Sequence, residues 1–99
     1  LHWYVLYTRP KHEKQVLQEL TDRLIEAYLP TQKVRRRWSD RYKIVEEPLF
    51  KNYLFVRSQE QSFRNALKPY GALSFVMVEG IPAIIPDYEI DAVRILVNS

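Results

Sequence analysis

A chain of 99 residues, 46% of them hydrophobic, has material for one small domain with a single core. The absence of cysteine removes disulfides, thiolate metal sites and cysteine nucleophiles together. The net charge of only +3 hides a concentrated pattern, because six of the fifteen cations fall within residues 33–43 alongside one acid, Asp40.

Residues 3–8 combine aromatic and β-branched side chains and predict a strand. Both of its alternating sets, Trp3, Val5, Tyr7 and Tyr4, Leu6, are apolar, so both faces should be covered. Pro10 suits a helix start. Val16, Leu17, Leu20, Leu24 and Ile25 then trace one helical stripe, which predicts a helix over residues 11–27. Residues 28–38 return to an extended pattern, Ser39-Asp40 form a turn, and residues 42–47 run back as the second arm of a hairpin. Residues 53–57 predict another strand. Ser58 and Gln61 have capping-box spacing, so a short helix carrying Phe63, Ala66 and Leu67 is expected to follow, ended by Pro69 and Gly71. Residues 73–78 predict a strand and residues 82–86 a tight extended loop. Asp87 is the expected N-cap of a last helix with Ile90, Val93, Leu96 and Val97 on its apolar side. The order β-α-β-β-β-α-β-α predicts an α+β sandwich, a mostly antiparallel four-stranded sheet flanked by helices, in a single domain over residues 1–99.

Catalysis has no candidate group. His2 and His12 stand ten residues apart with no further ligand at metal-binding spacing. Glu46 and Glu47 are neighbours on a strand and should point to opposite faces. Two glycines are too few for a phosphate-cradling loop. No metal, no cofactor and no enzymatic activity are expected. No stretch approaches the ~20 apolar residues of a membrane span, and no signal-peptide pattern opens the chain, so no membrane partner is expected either.

Aromatic and basic side chains remain. Trp3, Tyr4 and Leu54 read as core. For Tyr7, Phe50, Tyr53 and Phe55 two readings stand side by side: further core, or an apolar sheet face awaiting a partner. The hairpin cations Lys33, Arg35, Arg36, Arg37, Arg41 and Lys43 either guard a strand edge against aggregation or contact phosphates, and the dense Arg-Arg-Arg-Trp run favours nucleic acid. Arg9, Lys11, His12 and Lys14 surround a helix N-terminus, which suits phosphate equally as well as an ordinary solvated face.

The opening Trp3-Tyr4-Val5-Leu6-Tyr7 followed by a helix, and above all Glu47-Pro48-Leu49-Phe50-Lys51-Asn52-Tyr53-Leu54-Phe55-Val56, resemble the NusG N-terminal (NGN) domain family, most closely its RfaH-like, specialised branch. Leu29-Pro30-Thr31 and Pro82-Ala83-Ile84-Ile85-Pro86 are similar to further family segments, and the likeness covers about residues 3–97. The resemblance implies a ferredoxin-like NGN sandwich in a cytoplasmic, monomeric transcription elongation and antitermination factor. Its sheet pocket, here Tyr7, Phe50, Tyr53 and Phe55, would grip the clamp helices of the largest subunit of bacterial RNA polymerase. Arg9, Lys11, His12 and Lys14 would face non-template DNA, with the hairpin near upstream DNA. Lys51 replaces the family's usual proline, residues 62–65 keep nothing of the RfaH-like His-Thr-Thr motif, and the family's C-terminal KOW domain is not expected within these residues. The alternative is a free-standing RNA- or single-strand-binding domain that stacks bases on the same rings.

Overall fold

The computed structural model describes residues 1–98. Its elements are β1 (His2–Thr8), α1 (Glu13–Asp22), β2 (Glu26–Tyr28), β3 (Thr31–Trp38), β4 (Arg41–Pro48), β5 (Tyr53–Ser58), α2 (Phe63–Ala66), β6 (Ala72–Phe75), β7 (Met77–Val78), β8 (Ile81–Pro82), β9 (Ile84–Ile85) and α3 (Asp87–Asn98). The mixed α/β character and the antiparallel pairing agree with the expectation, but the main sheet has five strands instead of four. They run in the order β2-β5-β1-β6, with β9 joining β1 beside β6. β1 lies at the centre, paired along its length with β5, while β6 takes Leu6 to Thr8 and β9 takes Trp3 and Tyr4 on its other edge.

The apolar stripe overstates the first helix at both ends. Lys11 is left-handed (φ 64°) and keeps the chain out of the helix until Glu13. At the other end the Ile25 N–H donates to the Leu20 carbonyl and the Leu24 N–H to that of Thr21, a Schellman closure around Leu24 at φ 61°. Leu24, expected in the stripe, is 94% exposed, whereas Ile25 turns back onto the core and β2 begins. A leucine in the left-handed region is strained by about 1–2 kcal/mol, and this one gains little burial in return. Leu24→Gly is therefore expected to raise stability by about 0.5–1 kcal/mol in urea unfolding, after allowing for glycine's larger unfolded-state entropy. A loss of stability would contradict this helix end.

The other corrections also concern chain breaks. Ser58 ends β5 as a buried residue with its hydroxyl donating to the Gln59 carbonyl, so no capping box forms and a 3-10 turn precedes α2. The expected strand over residues 73–78 divides at Val76, whose N–H donates to the Val5 carbonyl, before β7 turns off to pair with β8. The expected loop at residues 82–86 holds β9. The last helix begins at Asp87, with the Pro86 carbonyl accepting from the N–H groups of Glu89 and Ile90, so Asp87 is the first helical residue and Pro86 stands in the expected cap position.

The double alternation of β1 demands cover on both faces, and the structure supplies it fully on one and only at the Trp3 end of the other. Tyr4, Leu6, Leu54 and Val56 pack under α1 and α2 with Val16, Leu20, Ala66 and Phe75. Burial, with Glu60 nearby, pushes the Tyr4 phenol above its usual pKa and keeps it neutral there. Gly71 lets α1 approach this layer, because a Cβ there would lie 2.7 Å from both His12 Cβ and Val16 Cγ2. On the opposite face α3 seals Trp3 and Phe55 with Ile90. The β3–β4 ribbon forms a sheet of its own.

Candidate protein-docking face and basic ribbon

The four rings singled out in the sequence do converge on one face, but they are not equally open. Tyr7 and Tyr53 are direct cross-strand partners with ring centroids 5.3 Å apart. One pair further along, Phe55 faces Val5 and Tyr28, and Phe50 meets the Phe55 ring edge-on at 6.1 Å. α3 covers the Trp3 end of this face and stops short of the Tyr7 end. Exposure follows: Tyr53 keeps 38% and Phe50 42%, Tyr7 is half-buried, but Phe55 keeps only 8%. Phe55 thus departs from the expectation of an uncovered ring, and forms the floor on which Phe50 and Tyr28 rest.

The turn that delivers Phe50 and Tyr53 depends on a residue the sequence did not single out. Asn52 is left-handed (φ 70°); its N–H donates to the buried Glu13 carboxylate at 2.8 Å, and its carbonyl accepts from the Thr8 N–H at 2.8 Å. With lysine at 51, these bonds supply the order that a proline's fixed φ would otherwise give. Glu13 reads locally as an acid complementing the helix dipole; nothing local connects it with a backbone group 39 residues away. Tyr7 and Tyr53 also border an open groove of about 640 Å³ lined by Leu73 and Met77, which were not foreseen because the break at Val76 spoils their alternation.

The two basic zones partly merge. Lys14 Nζ donates to the Glu46 carbonyl at 2.7 Å, so the start of α1 is tied to the base of the ribbon. Lys11, Lys14 and Arg36 line one cleft of about 550 Å³, joined by Lys51, a cation outside both zones, with Glu13 and Glu47. Arg9 is turned aside: its guanidinium lies 4.1 Å from the Tyr70 ring centroid, and Nε donates to the Tyr70 carbonyl. His12 Nδ1 lies 3.0 Å from the Pro10 carbonyl, which can only accept, so that nitrogen carries the proton.

Along the ribbon, the two-residue period divides what looked like a single basic surface. Lys33, Arg35 and Arg37 share one face, opposite Glu46, Ile44 and Tyr42, whereas Arg36, Arg41 and Lys43 share the other with Trp38. Glu46 and Glu47 lie on opposite faces, as expected. Glu47 accepts two hydrogen bonds from Arg36, both 2.7 Å, which commits that arginine to the ribbon.

A family profile described as "Transcription termination factor nusG" matches residues 1–94. The chain belongs to the NusG family. Its fold is similar to that of the solved structure "Domain interaction in Thermotoga maritima NusG", with a TM-score of 0.62 and 20% identity over 90% of this chain and 52% of that one. The chain therefore spans about half the length of that protein. No curated protein matches it significantly. NusG-family proteins are non-enzymatic transcription factors. Among the described residues of this NusG-family chain no group of His, Cys, Asp or Glu could hold a metal ion, and no helix is long and apolar enough to cross a membrane.

The Arg36–Glu47 pair gives the NusG-family ribbon a pH dependence. The hydrogen bonds from Arg36 hold the Glu47 carboxyl below the usual carboxylate range against an opposing desolvation, helped by the charges of Arg36, Lys51 and Lys14. Because the folded-state value is the lower one, the tether is fully present above the ordinary carboxylate pKa and is lost as pH falls through the folded value. The Arg36 Nε–H resonance in NMR is expected to move only below the ordinary glutamate range, and not at all through that step in Glu47→Gln. A midpoint at or above the ordinary value would contradict the pair.

Proposed function

We propose that this chain is the polymerase-binding domain of a NusG-family elongation factor that grips the clamp helices of the largest RNA polymerase subunit and suppresses pausing or termination. Tyr7, Tyr53 and Phe50 make the contact, and Phe55 supports them from below. The observation that carries this reading is the unequal cover of one sheet face, closed by α3 around Trp3 and open around Tyr7 and Tyr53. An apolar face left open beside a finished core suits a helical partner. Lys11, Lys14, Lys51 and the ribbon cations then lie toward DNA, as non-specific phosphate contacts. The run from Pro48 to Val56 supports an RfaH-like, operon-specific factor over a general one.

Base stacking on the sheet rings is less well supported. The cations at that face are already engaged, Arg57 with Glu26 at 3.3 Å and Arg94 over Trp3 and Tyr28. The deciding experiment is capture of an isolated clamp-helix fragment by the purified chain. Binding is expected; no binding at concentrations well above micromolar would overturn the proposal.

A further inference from the structure

The tip of the ribbon carries two rings that the fold does not use. Trp38 and Tyr42 flank the Ser39-Asp40 turn, are 71% and 56% exposed, and sit on opposite faces of β3–β4. Each is set among cations. The Arg35 guanidinium lies 3.9 Å from the Tyr42 ring centroid, with Arg37 directly across from Tyr42; Lys43 Nζ lies 5.8 Å from the Trp38 ring centroid, with Arg41 directly across from Trp38. A ribbon that only guarded its edges against aggregation would need the charges and be harmed by the rings. An acidic protein surface would satisfy the cations and leave the rings without a role.

We propose that the ribbon tip is a binding site for unpaired nucleotides, with bases stacking on Trp38 and Tyr42 while Arg35, Arg37, Arg41 and Lys43 neutralise the flanking phosphates. A flat ring accepts any base on its face, and a neighbouring guanidinium extends the platform. In a duplex those base faces are stacked on each other, so the rings favour single-stranded nucleic acid and only the charges act on double-stranded DNA. The site deepens the nucleic-acid part of the function proposed above, yet uses none of the rings assigned to polymerase.

The chain's two tryptophans make the test direct, because Trp3 is 4% exposed and Trp38 is open to solvent. Oligothymidylate of about ten nucleotides, a length within the range such sites cover, is titrated into the chain at low salt with tryptophan emission as the readout. Emission is expected to fall as the strand binds. Trp38→Ala is expected to lose that quenching and bind about tenfold more weakly, in line with the loss of one stacked base. A duplex of equal length is expected to bind more weakly than the single strand, without quenching. Equal affinity for single strand and duplex, binding unchanged by Trp38→Ala, or no binding of the single strand would each overturn the proposal. Capture of the clamp-helix fragment by Trp38→Ala is expected to match the unsubstituted chain, and the unsubstituted chain's own capture reports separately on the docking face.

Discussion

Tyr53→Ala is expected to weaken capture of the clamp-helix fragment by about 30-fold or more while leaving the domain folded. That factor corresponds to the loss of about 2 kcal/mol, the level at which an interface tyrosine counts as a hot spot. Tyr53 is the first residue of β5, 38% exposed, and its ring meets that of Tyr7 across the strand pair. Removing one member of such a cross-strand aromatic pair costs about 0.5–1.5 kcal/mol of stability, which a domain of this size tolerates. Tyr53→Phe, which keeps the ring, should bind within a few-fold of the unsubstituted chain unless the hydroxyl is hydrogen-bonded by the partner. Affinity by calorimetry, with a thermal melt of the same sample, checks both parts. Unchanged affinity in Tyr53→Ala would remove this end of the face from the interface.

Phe55→Ala should behave differently, although it lies only two residues further along the same strand face. Phe55 is 8% exposed and packs with Trp3 and Ile90 under α3, while touching Tyr28 and Phe50. Truncating a buried phenylalanine leaves a cavity and costs about 3–5 kcal/mol, a large share of the total stability available to a small domain. At about 4–8 °C per kcal/mol, the melting temperature should fall by 12 °C or more. Circular dichroism melts and urea unfolding measure this. A cost below about 1 kcal/mol would show that α3 does not hold Phe55 as described. Loss of polymerase binding in Phe55→Ala alone cannot identify the contact surface, because the floor beneath Phe50 is lost along with the ring.

The contrast between these neighbouring rings shows how far residue patterning reaches. Alternation placed Val5 with Tyr7 and Tyr53 with Phe55 on one face, and the observed register does the same. It could not say how much of that face a helix more than thirty residues later would cover. The basic hairpin is similar. Its two arms and the turn at Ser39-Asp40 were evident from local pattern, and with them the opposite orientations of Glu46 and Glu47. Division of its cations between two faces follows from the same period, and a count of charge alone hides it. Pairing of Arg36 with Glu47, and the reach of Lys14 to the ribbon, depend on side-chain geometry that no spacing reveals.

By itself, the sequence determined the middle of each long element, the paired faces of β1 and β5, the basic and aromatic character of the ribbon, and the family segment from residue 47 to 56. These rest on periods of 2 and 3.6 residues and on turn chemistry, which act within a few residues along the chain. Only the tertiary structure decided where α1 unwinds at Leu24, how the chain after Val76 splits between two sheets, and that Glu13 holds the turn at Asn52. It alone decided that α3 closes the Trp3 end of the aromatic face and leaves the Tyr7 end open. Each of these depends on contacts between segments distant in sequence, where competition for burial and for hydrogen-bond partners overrides the local pattern.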